Sequence, residues 1–188
     1  DSPGAQALMP DQVVLKTPKL SVFGRQFHDV DARARMAGGS WQVALSSRDA
    51  SGDVQYDPFG RGALRARLKN FTVGRVAQQG APSASSASSS DDLPALDIVA
   101  ESFAIADQKL GRLEIQAHNA GSNWQVEKLS ISNPDGRLDG SGTWKMQSPQ
   151  RFDLSFKLGS ENVGALLDRL GYPGTVKRGT ATLSGQLY

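Results

Sequence analysis

The side chains that could do chemistry are few and scattered. Two histidines, His28 and His118, carry the only imidazoles, and neither has a second histidine or a set of acids at ligand spacing, so no metal site is expected. Cysteine is absent, which excludes thiolate metal sites and a disulfide framework without identifying the compartment. The acids between Asp49 and Asp57 lack the Asp-x-Asp-x-Asp-Gly spacing and closing glutamate of a calcium loop. No serine sits in a Gly-x-Ser-x-Gly elbow, and Asp91-Asp92, beside a serine-rich stretch, read as solvating charge. Trp41, Trp124 and Trp144 could stack on sugars, but their strand context and apolar neighbours at spacing two favour cross-strand packing. Two carboxylates meeting across a cleft for glycan hydrolysis is the enzymatic alternative, and only a fold could bring it about. No catalytic residue and no cofactor are expected, which leaves apolar surfaces as the candidate for function.

Those surfaces are written in the alternation of the chain. On Leu113, Ile115, Trp124, Val126, Leu138, Trp144, Phe152, Leu154, Phe156 and Leu158 every immediate neighbour is polar or small, so these ten side chains should share the dry faces of adjoining strands. The first half follows the same rule: Val30, Ala32, Ala34 and Met36 oppose Asp29, Asp31, Arg33 and Arg35, while Leu64, Ala66 and Leu68 oppose Arg65, Arg67 and Lys69. The alternation changes parity near Asn70 and again near Glu101-Ser102, which predicts β-bulges there. Val13 to Phe23 reads as one strand or two around a polar break at Lys16 to Lys19. Sheets that curl without closing would present their dry faces as a trough.

One segment has helical period instead. From Ser160 to Leu170, with Ser160 as N-cap, Glu161 in the first turn, Val163, Leu166, Leu167 and Leu170 on one side and Gly171 after the end, the pattern predicts a short amphipathic helix. It is too short to stand alone and must dock on the sheet. Residues 1–11 read as a flexible lead, and Gln78 to Asp92, rich in serine and alanine, as a mobile loop. The predicted organisation is a first β repeat unit over 1–77, a serine-rich loop over 78–92 and a second β repeat unit over 93–188 that carries the helix at 160–170. Sliding the chain by about 83 positions lays Val30 on Leu113, Ala34 on Ala117, Gly38 on Gly121 and Trp41-Gln-Val43 on Trp124-Gln-Val126, and the match fades beyond Val126.

Bulk properties agree with a one-sided sheet. The 188 residues are 38% apolar and 21% charged, rather poor in apolar residues for a thick closed core. A formal net charge of +2, with both signs interspersed, is too mild for a nucleic-acid groove. No run approaches the roughly 18 apolar residues that span a bilayer, and Asp1-Ser-Pro-Gly4 is no signal peptide. The chain stops within a strand-like pattern at Leu183 to Tyr188, so a piece of a longer protein is expected. The predicted fold class is mainly β: an extended antiparallel meander of repeated strand units forming a curved open sheet or groove, with one short helix near the C-terminus.

In their order and spacing, Leu93-Pro-Ala-Leu-Asp97, Leu110-Gly-Arg-Leu-Glu114, Trp124 to Ile131, Gly136-Arg-Leu-Asp-Gly-Ser-Gly-Thr-Trp144, Phe152 to Leu158 and Val163 to Gly171 resemble the YhdP family of AsmA-like proteins. The serine-rich stretch Ser83 to Ser90 departs from that pattern. The resemblance implies a periplasmic protein, anchored in the Gram-negative inner membrane by a segment outside this chain. It also implies an apolar β-groove that moves phospholipid toward the outer membrane and supports its barrier. The implied partners are phospholipid acyl chains, with membrane-embedded envelope proteins beside them, and no nucleic acid. The rival readings are an envelope scaffold whose dry faces close into a core, and a glycan-acting enzyme.

Overall fold

The computed structural model describes residues 12–22, 25–74, 93–121, 123–145 and 151–187. The predicted lead over 1–11 and the loop from Gln78 to Asp92 lie outside the described residues. Within the described residues eleven strands form one sheet in sequence order: β1 Gln12–Val22, β2 Arg25–Ala37, β3 Ser40–Ser46, β4 Ala50–Asp57, β5 Ala63–Val73, β6 Ala95–Ile105, β7 Gln108–Ala120, β8 Asn123–Asn133, β9 Gly136–Lys145, β10 Arg151–Ser160 and β11 Ala181–Leu187. The helix α1, Val163–Arg169, lies between β10 and β11. The sheet is open, with extensive contacts only between neighbouring strands, and α1 touches β7.

One junction departs from an antiparallel meander. β5 and β6 run parallel, pairing Leu64 with Leu96, Ala66 with Ile98 and Leu68 with Ala100. Parallel neighbours need a connection that returns along the strand, and the chain between Val73 and Ala95 is long enough for that. Alternation along a strand shows which side chains share a face but carries no information about the direction of the next strand, so this pairing was not legible locally.

Both predicted bulges are present. Ser51 faces Asn70 while Gly52 faces Leu68, leaving Lys69 as the extra residue of β5. Glu101 and Ser102 lie between the pairs Ala100–Leu113 and Phe103–Gly111, so two residues of β6 oppose Arg112 alone. β1 is a single strand whose register passes over Pro18, between Thr17–Val30 and Lys19–His28. The strand starts also carry the repeat, since β6 follows β1, β7 follows β2 and β8 follows β3 at one common offset.

The helix is shorter than the pattern predicts and begins differently. Its N-cap is Asn162, whose side-chain oxygen accepts from the Ala165 amide at 3.2 Å. Ser160 is still in the ladder, paired with Ala181, and its hydroxyl donates to the Asp135 carbonyl at 2.6 Å. That commitment removes it as a cap and leaves Glu161 ahead of the first turn. Leu166 is buried, whereas Leu167 and Leu170 are only half-buried. Arg169 in the last turn pairs with Asp135 at the β8–β9 turn.

Candidate functional site

Residues directly opposite in a ladder point to the same side, so the registers can be followed across the sheet. Ile115 pairs with Ile98 and Leu129, Leu113 with Ala100 and Ile131, and Ile131 with Leu138. Trp144 joins Trp124 to Phe152, Gly142 joins Val126 to Leu154, and Gly140 joins Leu129 to Phe156. Leu158 pairs with Leu138 and Leu183. All ten side chains singled out from the alternation therefore fall on one face. That face continues in the other direction through Leu68, Ala66 and Val54 to Val43, Ala34 and Val13.

The sheet curls toward this face. Gly136, Gly140 and Gly142 lie on it in β9, and a Cβ at Gly142 would stand 2.3 Å from the Asp153 carbonyl oxygen and 3.0 Å from the Leu154 Cα. At Gly136 and Gly140 a Cβ would likewise approach the carbonyls of Gly159 and Ser155, at 2.9 and 3.2 Å. A neighbouring backbone can come that close on the Cβ side only if β10 folds up over the apolar side of β9. The spaced glycines of the Gly136 to Trp144 stretch are thus the inside of a bend, which gives the trough a concave apolar wall.

Burial along the wall is graded. The sealed part lies at β5 to β7, where Ala66, Leu68, Ala100, Phe103 and Leu113 form one cluster and Leu113 is 2% exposed. Val126 is buried too, but Ile115, Trp124, Leu138, Trp144, Leu154, Phe156 and Leu158 are only half-buried, and Phe152 is 40% exposed. A second sheet would have buried them all, and no second layer covers them among the described residues. Leu129 and Ile131 belong to the same wall and are missing from the predicted ten. Their signal was the parity change after Val126, where the ladder to β9 passes from Val126–Gly142 to Leu129–Gly140 over an extra residue.

The two ends of the trough differ. At one end Trp124, Trp144 and Phe152 make edge-to-face contacts with centroids 6.4 and 6.5 Å apart, and the Trp124 indole N–H donates to the Pro94 carbonyl at 3.2 Å. At the other end α1 sits on the apolar side, with Leu166 over Gly136 and Arg169 bonded to Asp135 and to the Lys109 carbonyl. Trp124 and Trp144 pack on one another and remain half-buried, partly open toward the trough.

The opposite face is polar and cross-braced. Arg67 and Arg65 hold Asp97 across the parallel junction at 2.7 and 3.3 Å, and the Arg67 hydrogen bond keeps that carboxyl below its ordinary pKa. Glu114 is lowered chiefly by its bond to Lys128 and then by Arg112, and Asp139 by Arg137 with help from Ser130. These networks stiffen the outer face but are too exposed to add much stability each. His28 binds Asp49 through Nδ1 at 3.0 Å and through its amide at 2.6 Å, which ties a strand to a turn, and His118 faces Glu127 at 3.6 Å. Among the described residues no three histidine or acidic groups converge as metal ligands, and no helix is long and apolar enough to cross a membrane.

Among known proteins, the family model described as "YhdP protein" matches residues 2–188. No curated protein and no solved structure matches the chain.

Proposed function

From the premise that the chain belongs to the YhdP family, we propose that it is a segment of a lipid conduit, whose curled apolar face carries phospholipid acyl chains. The observation that supports this reading is an apolar face that runs across eleven strands, curled inward and left without a covering layer among the described residues. At about 4.8 Å per strand, eleven strands offer a track of roughly 50 Å across the ladders, longer than an acyl chain. Each methylene moved from water onto such a wall gains up to about 0.8 kcal/mol, so two chains hold a lipid while its head group stays in water at the open side. Graded exposure suits passage, because a shallow wall binds acyl chains without trapping them. The proposed setting is the periplasm, with an inner-membrane anchor in a segment outside this chain, phospholipid as cargo and membrane-embedded envelope proteins at either end.

The test is photo-crosslinking in cells. A benzophenone side chain at Phe152 or Phe156 should capture phospholipid, whereas one at the outward Asp153 or Lys157 should not. Capture on neither face would favour a scaffold, and equal capture on both would show non-specific labelling. Leu154→Arg should block capture at Phe156 while leaving the fold largely intact, because a half-open position lets the guanidinium reach water. Unfolding of that variant would mean a sealed core and would remove the physical basis of the conduit.

A further inference from the structure

The polar face of β2 to β5 carries something the conduit does not use. Arg33 and Arg35 stand on β2, and Arg65 and Arg67 stand on the same face of β5, as the register shows: Arg33 pairs with Ala44, Ala44 with Asp53, and Asp53 with Arg67. The outer row Arg35, Gln42, Gln55 and Arg65 is linked in the same way. Two rows of arginine are therefore separated by three strand spacings, about 14 Å. Between them the floor is the methyl of Ala44 and the amides of two glutamines. Long side chains over a low floor leave a recess of about 780 Å³.

Its charge is under-compensated. Arg33 makes no ion pair and no side-chain hydrogen bond among the described residues. Among the described residues Arg35 is held only by the neutral Gln42 amide oxygen, through two nitrogens at 3.0 and 2.8 Å. Arg65 and Arg67 share one carboxylate, Asp97. Asp53 is the single acid within the recess and has no partner among the described residues. Four guanidinium groups thus meet two carboxylates; Arg67 is committed to the Ala66 and Asp97 carbonyls and the Asp97 carboxylate, whereas Arg33 presents a whole fork that matches a carboxylate bidentately.

We propose that this recess is a docking site for an acidic peptide segment of a partner protein. Shape selects the occupant: a bilayer surface is broad and flat and would rest on the arginine tips, whereas a helix or strand about 10 Å wide enters between the rows. Arginine dominance points the same way, since arginine is enriched at protein interfaces and loses little on ordering its planar fork. The site lies on the face away from the proposed acyl-chain wall, so a partner could dock while that wall stays open. The inference stands independently of the conduit.

Fluorescein-labelled hexaglutamate, read by anisotropy at about 0.15 M ionic strength, where distant charges are screened within about 8 Å, tests it, with hexaglutamine as the uncharged comparator. The chain should bind hexaglutamate and not hexaglutamine, and Arg33→Glu with Arg35→Glu should weaken binding by about tenfold or more. Asp53→Asn should tighten it by roughly twofold to fivefold by removing the one repulsive charge in the recess. Lys157→Glu with Arg178→Glu, an equal change of net charge elsewhere, should leave affinity within about twofold. The double arginine variant should melt within about 0.5 kcal/mol of the parent, since Arg33 has no partner to lose among the described residues and Arg35 loses only an exposed bond to Gln42, and Arg33→Gln with Arg35→Gln repeats the test without charge reversal. Equal loss in the distant variant, no loss in the arginine variants, or no binding by the parent would overturn the proposal. So would arginine variants that lose binding to phosphatidylglycerol vesicles while keeping hexaglutamate, because the recess would then serve a membrane.

Discussion

Gly142→Ala isolates the curl from everything else in the fold. The added methyl lies on the apolar face, 2.3 Å from the Asp153 carbonyl oxygen and 3.0 Å from the Leu154 Cα, both of which are backbone and cannot rotate away. A carbon and an oxygen need about 1 Å more than that, so β10 must move off β9 or the bend must open. Gly142 and Leu154 are a rung of the ladder, and Leu154 is also a rung with Leu187, so the movement loosens two junctions together. Weakening two backbone hydrogen bonds by roughly 0.5–1 kcal/mol each, with overpacking strain of about 1–2 kcal/mol, gives a loss of about 2–4 kcal/mol, centred near 3. For a domain of this size that lowers Tm by roughly 6–12 °C. Thermal and urea melts measure it. Gly74→Ala is the control, because a methyl there meets nothing within 4 Å and should change stability by less than about 0.5 kcal/mol. If Gly142→Ala melts with the parent, β10 does not fold over β9 and the concave wall loses its strongest geometric support.

Leu166→Ala should cost about 2–3 kcal/mol in a urea melt, and Leu167→Ala distinctly less, because Leu166 is the buried leucine of the helix and Leu167 is half-buried. Leu113→Ala, in the sealed cluster at 2% exposure, should cost about 3 kcal/mol, and Phe152→Ala, 40% exposed, about 1 kcal/mol or less. The same melts would contradict a graded wall if the two losses were equal. Asp97, Glu114 and Asp139 are held below their ordinary pKa, so their contribution is complete above that range and is lost as pH falls below about 4. Tm should therefore be insensitive to these groups from pH 5 to 8 and drop in acid, with a small total effect of about 1 kcal/mol because all three face solvent. Asp97→Asn should flatten part of that acid limb.

How far the sequence reaches is set by the range of each interaction. Alternation is local, a property of the pleat, and it alone determined that the chain is one-sided β structure and that Leu113, Trp124, Phe156 and the other seven share a face. Parity changes are equally local, which is why bulges near Asn70 and near Glu101-Ser102 could be placed from residues alone, the first of them falling on Lys69. Helical period determined that α1 exists, but its start was decided elsewhere. Ser160 is drawn into the ladder with Ala181 and onto the Asp135 carbonyl, partners distant in sequence, and Asn162 caps in its place. The direction of β6 beside β5 depends on the path of a connection, so no strand pattern could reveal it. The curl is likewise invisible to alternation: glycines at Gly136, Gly140 and Gly142 carry no sign of a bend until the carbonyls of β10 are found where their Cβ atoms would be. The two arginine rows were visible as outward residues of separate strands, and only the strand order, with β3 and β4 between them, turned them into the walls of one recess.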